Sequence, residues 1–369
     1  MAIVKINGVA KGSTAKYSDA TLTDAANITG QRLWATRWIV GSGDTLYSTT
    51  DPDATSGWGA LVTGDLFSDG TKIKCITYGE DGSGGKLWVM GTNSTNAELG
   101  YCEDNATALA RNFDAAGGGA KWTAVAFSGN SLAASGGPGV AFGNGVWCAG
   151  GFYTGTNPNI TSIKRSTDGA SWTQITNAPQ QAQPARCVCY KSGDTWFATN
   201  DSDIWKSTNN GTSWSLENTD PGNITGILYC MAYDGEGVWV AAGNDSGGDL
   251  TVSNDDWASD SAVDSKFGSS SNKIWGVVFV ERLGKWVAVG QSGKISLSSD
   301  RTATSWTAQT TPVSVTLNQV ATDGRTIVAA GDSGNVLTST DGVNWVSVTS
   351  GLSGNLESIA CDIVGSGMR

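Results

Sequence analysis

A chain of 369 residues with 50 glycines, 16 tryptophans, only 7 prolines and 15% charged residues reads as many short strands joined by polar turns. Its formal net charge of −11 and its singly scattered lysines and arginines exclude a phosphate backbone as the main partner. The sequence has no histidine, which excludes a Ser-His-Asp triad, a His-containing zinc site and a His proton shuttle.

Residues 1–30 stand outside the pattern that follows. Ile3-Val4-Lys5-Ile6 could form one strand, and the remainder reads as an extended N-terminal arm suited to packing on another subunit. Met1 to Gly12 holds no apolar run of signal-peptide length, and no stretch of about 18 apolar residues exists anywhere. The expectation is no membrane insertion, with synthesis and folding in a cytoplasm.

From Arg32 onward an apolar run led by tryptophan, and mostly ending in glycine, recurs. Trp38, Trp88, Trp147, Trp196, Trp239 and Trp286 lead six copies and Ile327 leads the seventh. A second tryptophan follows each after a turn: Trp58, Trp122, Trp172, Trp214, Trp257, Trp306 and Trp345. Successive members of this second set lie about 48 residues apart on average, and a period of roughly 40–50 residues with four strands per repeat means propeller blades. Six of the seven cysteines (75, 148, 187, 189, 230 and 361) fall inside predicted strands, as small buried apolar residues rather than a disulfide framework.

The last repeat shows the unit most clearly. Leu317 to Thr322, Thr326 to Ala330, Val336 to Thr340 and Trp345 to Val348 read as four antiparallel strands joined by Asp323-Gly324, Asp332 to Asn335 and Asp341-Gly342. Beyond them, Leu356 to Asp362 is an orphan strand, whereas the first repeat lacks a leading strand. The sequence therefore predicts an all-β fold, a seven-bladed β-propeller over residues 31–369. Its four-stranded antiparallel blades are closed by the C-terminal strand joining the first blade.

The turn between third and fourth strands recurs as Ser166-Thr167-Asp168-Gly169-Ala170-Ser171-Trp172 and Ser339-Thr340-Asp341-Gly342-Val343-Asn344-Trp345. Ser207 to Trp214 varies it with Asn209, Ser253 to Trp257 shortens it around Asp255, and Ser298 to Trp306 lengthens it around Asp300. This resembles the Asp-box, or bacterial neuraminidase repeat. Physically, the Asp or Asn oxygen accepts N–H bonds of its own turn, glycine takes the positive-φ position, and tryptophan buries a large surface between sheets. A folding role is therefore expected for Asp168, Asn209, Asp255, Asp300, Asp341, Trp172, Trp214, Trp257, Trp306 and Trp345.

Sialidases of the resembled class carry an arginine triad, a Tyr/Glu pair, an acidic acid/base residue and a Phe/Tyr-Arg-Ile-Pro motif. No such tetrapeptide occurs, and Arg32, Arg37, Arg111, Arg165, Arg186, Arg282, Arg301 and Arg325 fall at unlike repeat positions. Six of the seven glutamates read as loop or turn residues and most aspartates as hairpin turns, so no catalytic residue, metal ligand or cofactor is expected. Asn200 to Asp203 and Asn244 to Asp249 offer oxygen ligands for calcium, yet neither continues to the glutamate of an EF-hand loop.

The longest irregular segments are Ser128 to Gly139, Phe152 to Asn159, Asn177 to Pro184 and Ser259 to Asn272. They fall on the side of the connections after second and fourth strands, with Glu103 to Ala120 the main exception. Phe152, Tyr153, Asn157, Gln180 and Gln181 there form a candidate interaction face for a protein or a glycan. The charge-poor composition, rich in Gly, Ser, Thr, Asn and Trp, resembles bacteriophage virion proteins. The expected function is a non-catalytic structural or interaction propeller, a virion component of tail or capsid whose partners are other virion proteins. Alternatives are a carbohydrate-binding host-recognition propeller, a sialidase-like hydrolase and a cytoplasmic assembly factor like the Asp-box propellers that serve photosystems.

Overall fold

The computed structural model describes residues 37–43, 45–53, 57–62, 72–92, 98–104, 123–126, 130–131, 139–153, 163–175, 185–224, 226–244, 250–268 and 272–363. The N-terminal arm lies outside these residues.

Seven four-stranded antiparallel sheets form a β-propeller. From the innermost strand outward, blade 2 is Ile73–Glu80, Lys86–Thr92, Glu98–Glu103 and Thr123–Ala126; blade 3 is Val140–Gly143, Val146–Gly150, Ile163–Ser166 and Thr173–Gln174. Blade 4 is Cys187–Ser192, Thr195–Thr199, Asp203–Ser207 and Ser215–Thr219, and blade 5 is Ile227–Tyr233, Trp239–Asn244, Leu250–Ser253 and Ser261–Val263. Blade 6 is Ile274–Val280, Lys285–Gly290, Ile295–Ser298 and Trp306–Ala308; blade 7 is Leu317–Thr322, Ile327–Gly331, Val336–Ser339 and Val346–Val348.

Blade 1 is made from both ends of the described chain. Trp38–Ser42, Thr45–Thr49 and Gly59–Val62 supply its outer three strands, and Leu356–Cys361 supplies the innermost. The closing strand runs antiparallel to Trp38–Ser42, with Trp38 opposite Cys361 and Val40 opposite Ile359. The orphan strand of the sequence thus seals the ring.

The second strands are buried on both faces, because each sheet is sandwiched between two neighbours. That is why they read as continuous apolar runs instead of alternating ones. All five residues of Val146–Gly150 and of Ile327–Gly331 are buried. The leading tryptophans 38, 88, 147, 196, 239 and 286 are at most 1% exposed. Their register is regular: Trp147, Trp196, Trp239 and Ile327 stand opposite Ser166, Ser207, Ser253 and Ser339, the serines that open the third-to-fourth turns. All seven cysteines are free and buried, Cys102 included, which lies in Glu98–Glu103 and had not been read as a strand residue.

The glycine that ends these runs also has a steric cause. A Cβ on Gly243, Gly290 or Gly331 would lie 1.7, 2.1 or 2.3 Å from the carbonyl oxygen of Ile227, Lys273 or Thr316. Each of those oxygens belongs to the chain entering the innermost strand of the same blade, so no side chain fits there.

Candidate interaction face

An antiparallel meander sends its first-to-second and third-to-fourth turns to one end of every blade, here called the box face. Its second-to-third turns and blade-to-blade connections go to the other, the loop face. The two ends differ in how their polar groups are used.

On the box face, the third-to-fourth turns of blades 1 and 3 to 7 satisfy themselves. Asp168 Oδ1 accepts the N–H of Ala170 (2.9 Å) and Ser171 (2.7 Å), and Asp341 Oδ1 accepts those of Val343 (2.9 Å) and Asn344 (2.8 Å). Asn209, Asp255 and Asp300 each accept one turn N–H at 2.9 Å, from Ser213, Ser259 and Thr302. The indoles of Trp172, Trp214 and Trp345 donate to the carbonyls of Gly169, Gly211 and Gly342, and that of Trp306 to Ala303. Blade 1 has the same turn, with Thr49 for serine: its hydroxyl accepts the Asp51 N–H (3.0 Å), and Asp51 Oδ1 accepts the Asp53 N–H (3.1 Å). Asp51 was missed in the sequence, although its spacing from Thr49 repeats that of Asp168 from Ser166.

Blade 5 departs from the reading. Trp257 does not hold the tryptophan position of its turn. Its N–H donates to Ser253 Oγ (2.9 Å) as Gly211 does to Ser207 Oγ (3.0 Å), so it occupies the glycine position, with φ +70°. Asp260 stands where Trp214 stands in blade 4, and instead of an indole it offers acceptors to Asn218 Nδ2 (2.9 Å), Thr251 Oγ1 (2.9 Å) and the Gly222 N–H. In blade 6 the glycine position is Ala303, with φ +56°. Glycine is therefore not general at this position.

The left-handed conformation costs a bulky residue about 1–2 kcal/mol. Trp257 is 0% exposed, and deleting a buried tryptophan side chain costs about 3–5 kcal/mol. The cavity outweighs the relieved strain, so Trp257→Gly should destabilise the ring by about 1–4 kcal/mol in urea unfolding. A variant as stable as the parent would refute that balance.

Contacts on the box face also join blades 2 to 7 in succession. The Trp147 indole donates to the Glu80 carbonyl (2.7 Å), joining blades 3 and 2, and Arg165 Nε donates to the Asn210 carbonyl (2.8 Å), joining blades 3 and 4. Lys191 pairs with Asp256 (2.5 Å) across blades 4 and 5, and Arg301 with Asp234 (2.8 Å) across blades 6 and 5. Arg282 of blade 6 donates to the Thr340 carbonyl of blade 7.

These bonds set a pH limit. The Asn344 N–H leads the contacts that hold the Asp341 carboxyl down to about 2, from an ordinary 3.8. Side-chain hydrogen bonds from Ser259 and Thr302 lead in lowering Asp255 and Asp300; at Asp168 partial burial pushes the value up and the turn N–H groups more than offset it. A folded-state value below the unfolded one contributes stability that is present above the unfolded value and lost as pH falls through the folded one. Stability should thus fall between about pH 4 and pH 2. Asp341→Asn should flatten that slope in acid titration of the melting temperature, and an unchanged slope would contradict the assignment.

The loop face is organised around the axis. In five blades the innermost strand carries a β-bulge at its loop-face end, which leaves one residue out of register with the second strand. The bulged residues are Glu357, Lys74, Tyr229, Trp275 and Asn318. Bulges re-aim side chains, and here they set a collar around the mouth of the axis. Across blades 7, 1 and 2 the collar is internally satisfied: Glu357 pairs with Lys74 (2.8 Å) and Lys72 (3.1 Å), and Asn318 Nδ2 donates to Asp332 Oδ1 (2.9 Å) and the Leu356 carbonyl (3.0 Å). Burial alone would push the Glu357 carboxyl up, but Lys74 and then Lys72 hold it below its ordinary value.

Across blades 4 to 6 the chemistry changes. Tyr229 and Trp275 stack with ring centroids 4.4 Å apart at 30°. Lys273 Nζ lies 5.8 Å from the Tyr229 ring and 5.5 Å from the Trp275 ring, and Arg186 Cζ lies 5.9 Å from Tyr229 while its guanidinium is held by Asp201 (2.8 Å).

Of the residues expected to form an interaction face, Phe152 and Tyr153 make a short strand pairing with Ser131 and Asn130, over blade 3. Asn157, Gln180 and Gln181 lie outside the described residues. The segment Ser259 to Asn272 is not one long loop, since Ser261–Val263 is the outer strand of blade 5. Glu80, Glu98, Glu103 and Glu217 stand in strands, against the loop contexts read from the sequence, and Glu357 stands in the closing strand. Asn200 Oδ1 accepts the Asp203 N–H (2.9 Å), closing that turn on itself, and no group of three or more Cys, Asp or Glu residues is placed to hold a metal among the described residues.

No protein-family model matches the chain, and no curated protein sequence matches it. Solved structures do. The WD40 propeller domain of Doa1 aligns with a TM-score of 0.56 at 13% identity, over 85% of this chain and 89% of that one. The WD40 repeats of RRP9 align at 0.54 and 11% identity, over 80% and 84%. YCF48 from Cyanidioschyzon merolae aligns at 0.52 and 17% identity, over 75% and 84%. At these identities the likeness establishes the propeller and leaves function to the site.

Proposed function

We propose that this chain is a non-catalytic protein-interaction propeller that engages its partner with the loop face. The observation that carries this is the contrast between the two ends. Most box-face carboxylates and cations are engaged by their own turns and by inter-blade staples, whereas on the loop face the bulges place Trp275 near the axis beside Lys273.

The described groups also argue against catalysis. Glu357 is locked to two lysines, and burial raises the thiols of Cys75, Cys148, Cys189 and Cys230 well above their ordinary range, with Cys75 at about 11. Such thiols are poor nucleophiles at neutral pH.

The finer proposal, a bacteriophage virion component docked through residues 1–30 and the loop face, rests on composition. Native mass spectrometry of the complex from its source tests it. A fixed multiple of the chain with virion proteins supports the proposal, and a lone 38.1 kDa monomer overturns it. The stacked Tyr229–Trp275 pair favours glycan binding as the second reading, tested on a glycan array.

A further inference from the structure

The collar is unequal around its circumference, and its unspent half has a definite chemistry. Lys273 makes no ion pair, and its ammonium no hydrogen bond, among the described residues. Its charge rests only against the faces of Tyr229 and Trp275. The Trp275 indole nitrogen is buried without a hydrogen-bond partner, and a buried unmade donor costs about 1–3 kcal/mol. By contrast the cations of the opposite sector, Lys72 and Lys74, are both engaged by Glu357.

The Lys273 ammonium lacks an anionic acceptor, whereas the indole N–H of Trp275 is enclosed by the protein. A carboxylate could pair with the Lys273 ammonium beside the Trp275 ring. The neighbouring Arg186 adds positive potential, but its Nε and Nη2 both donate to Asp201 Oδ1, which leaves it a supporting charge. The chain's net charge of −11 disfavours a highly charged polyanion as the partner. A long polyanion is therefore repelled, whereas a short segment with one or two carboxylates can enter.

We propose that Lys273, Trp275 and Tyr229, supported by Arg186, form a recognition site at the mouth of the axis for a carboxylate-bearing peptide segment of the protein partner. This rests on the protein-interaction reading above. The Trp275 ring, backed by the buried Tyr229, packs the apolar part of that segment, and Lys273 reads its carboxylate. Loss of Lys273 should remove most of the affinity, because the partner carboxylate would then be desolvated without a counter-charge.

The test is isothermal titration calorimetry of the full chain with the peptide Gly-Ser-Glu-Glu-Ser-Gly and its Gln-Gln counterpart. The expected result is binding of the glutamate peptide at least about tenfold tighter than the glutamine one. Lys273→Met should abolish that preference, Trp275→Phe should weaken it, and Lys72→Met should leave it intact; matched melting temperatures check that all three variants fold. Equal binding of both peptides, or a Lys273→Met variant that still prefers glutamate, would overturn the site. So would Lys273-dependent binding of an acidic oligosaccharide where neither peptide binds. Native mass spectrometry of Lys273→Met separates the two readings: retained assembly with a protein partner leaves the interaction reading standing and removes this site, whereas a parent chain that assembles with no protein removes both.

Discussion

Removing residues 356–369 should abolish cooperative unfolding of the entire ring, not merely loosen one blade. The closing strand Leu356–Cys361 is the innermost strand of blade 1, packed between blade 7 on one side and blade 2 on the other. Leu356 and Ala360 are 0% exposed and Ile359 is 1% exposed. Burying a side chain of Leu or Ile size contributes about 1.5–3 kcal/mol, and the strand adds its ladder of backbone bonds; a domain's net stability is about 5–15 kcal/mol. The loss is therefore a large share of the total. It would also expose the inner edge of Trp38–Ser42, a template for edge-to-edge association. Thermal unfolding followed by circular dichroism, with light scattering in parallel, should show a lowered, broadened transition and aggregation. A truncated chain that melts like the parent would show that the ring does not depend on this strand.

The second large effect belongs to Asp234. Its side chain is fully buried; Oδ1 accepts the N–H groups of Glu236 (2.8 Å), Gly237 (2.9 Å) and Val238 (2.8 Å), and Oδ2 pairs with Arg301 Nη1 (2.8 Å). Arg301 also contacts Glu236 and Glu281 and lies 4.4 Å from the Phe279 ring, so one guanidinium joins two blades. Asp234→Ala leaves three N–H groups without an acceptor and leaves Arg301 only its more exposed partners Glu236 and Glu281, and removing one partner of a buried pair costs about 3–5 kcal/mol. Asp234→Asn retains an oxygen for the turn and should lose less. Adding Arg301→Met to Asp234→Ala should cost less than the sum of the two single changes, because both remove the same ion pair. Urea unfolding of the four proteins checks this, and a stability change below about 0.5 kcal/mol for Asp234→Ala would place the pair among ordinary surface contacts.

How much could be read in advance follows the range of the interactions. Seven repeats, their strand order and the closing strand were legible because turns and strand runs are built from residues within a few positions of one another. The Asp168 and Asp341 turns are bonded wholly within four residues. The same locality misled in blade 5. Trp257 lies at an acceptable distance from Asp255, yet the deciding bonds, its N–H to Ser253 Oγ and that of Ser259 to Asp255, set the turn one step differently and hand the tryptophan position to Asp260.

The collar could not be read at all. Glu357, Lys74, Tyr229, Trp275 and Asn318 belong to five repeats, and nothing in their own segments marks them as neighbours. What gathers them is the pairing of innermost with second strands, where a strand-end glycine lets an entering carbonyl cross and the register slips by one residue. The sequence by itself determined the propeller, its blade number and its turn chemistry, since these rest on local spacing and a repeated period. Only the tertiary structure decided which side chains meet at the axis, because strand register and ring closure bring together residues from opposite ends of the chain.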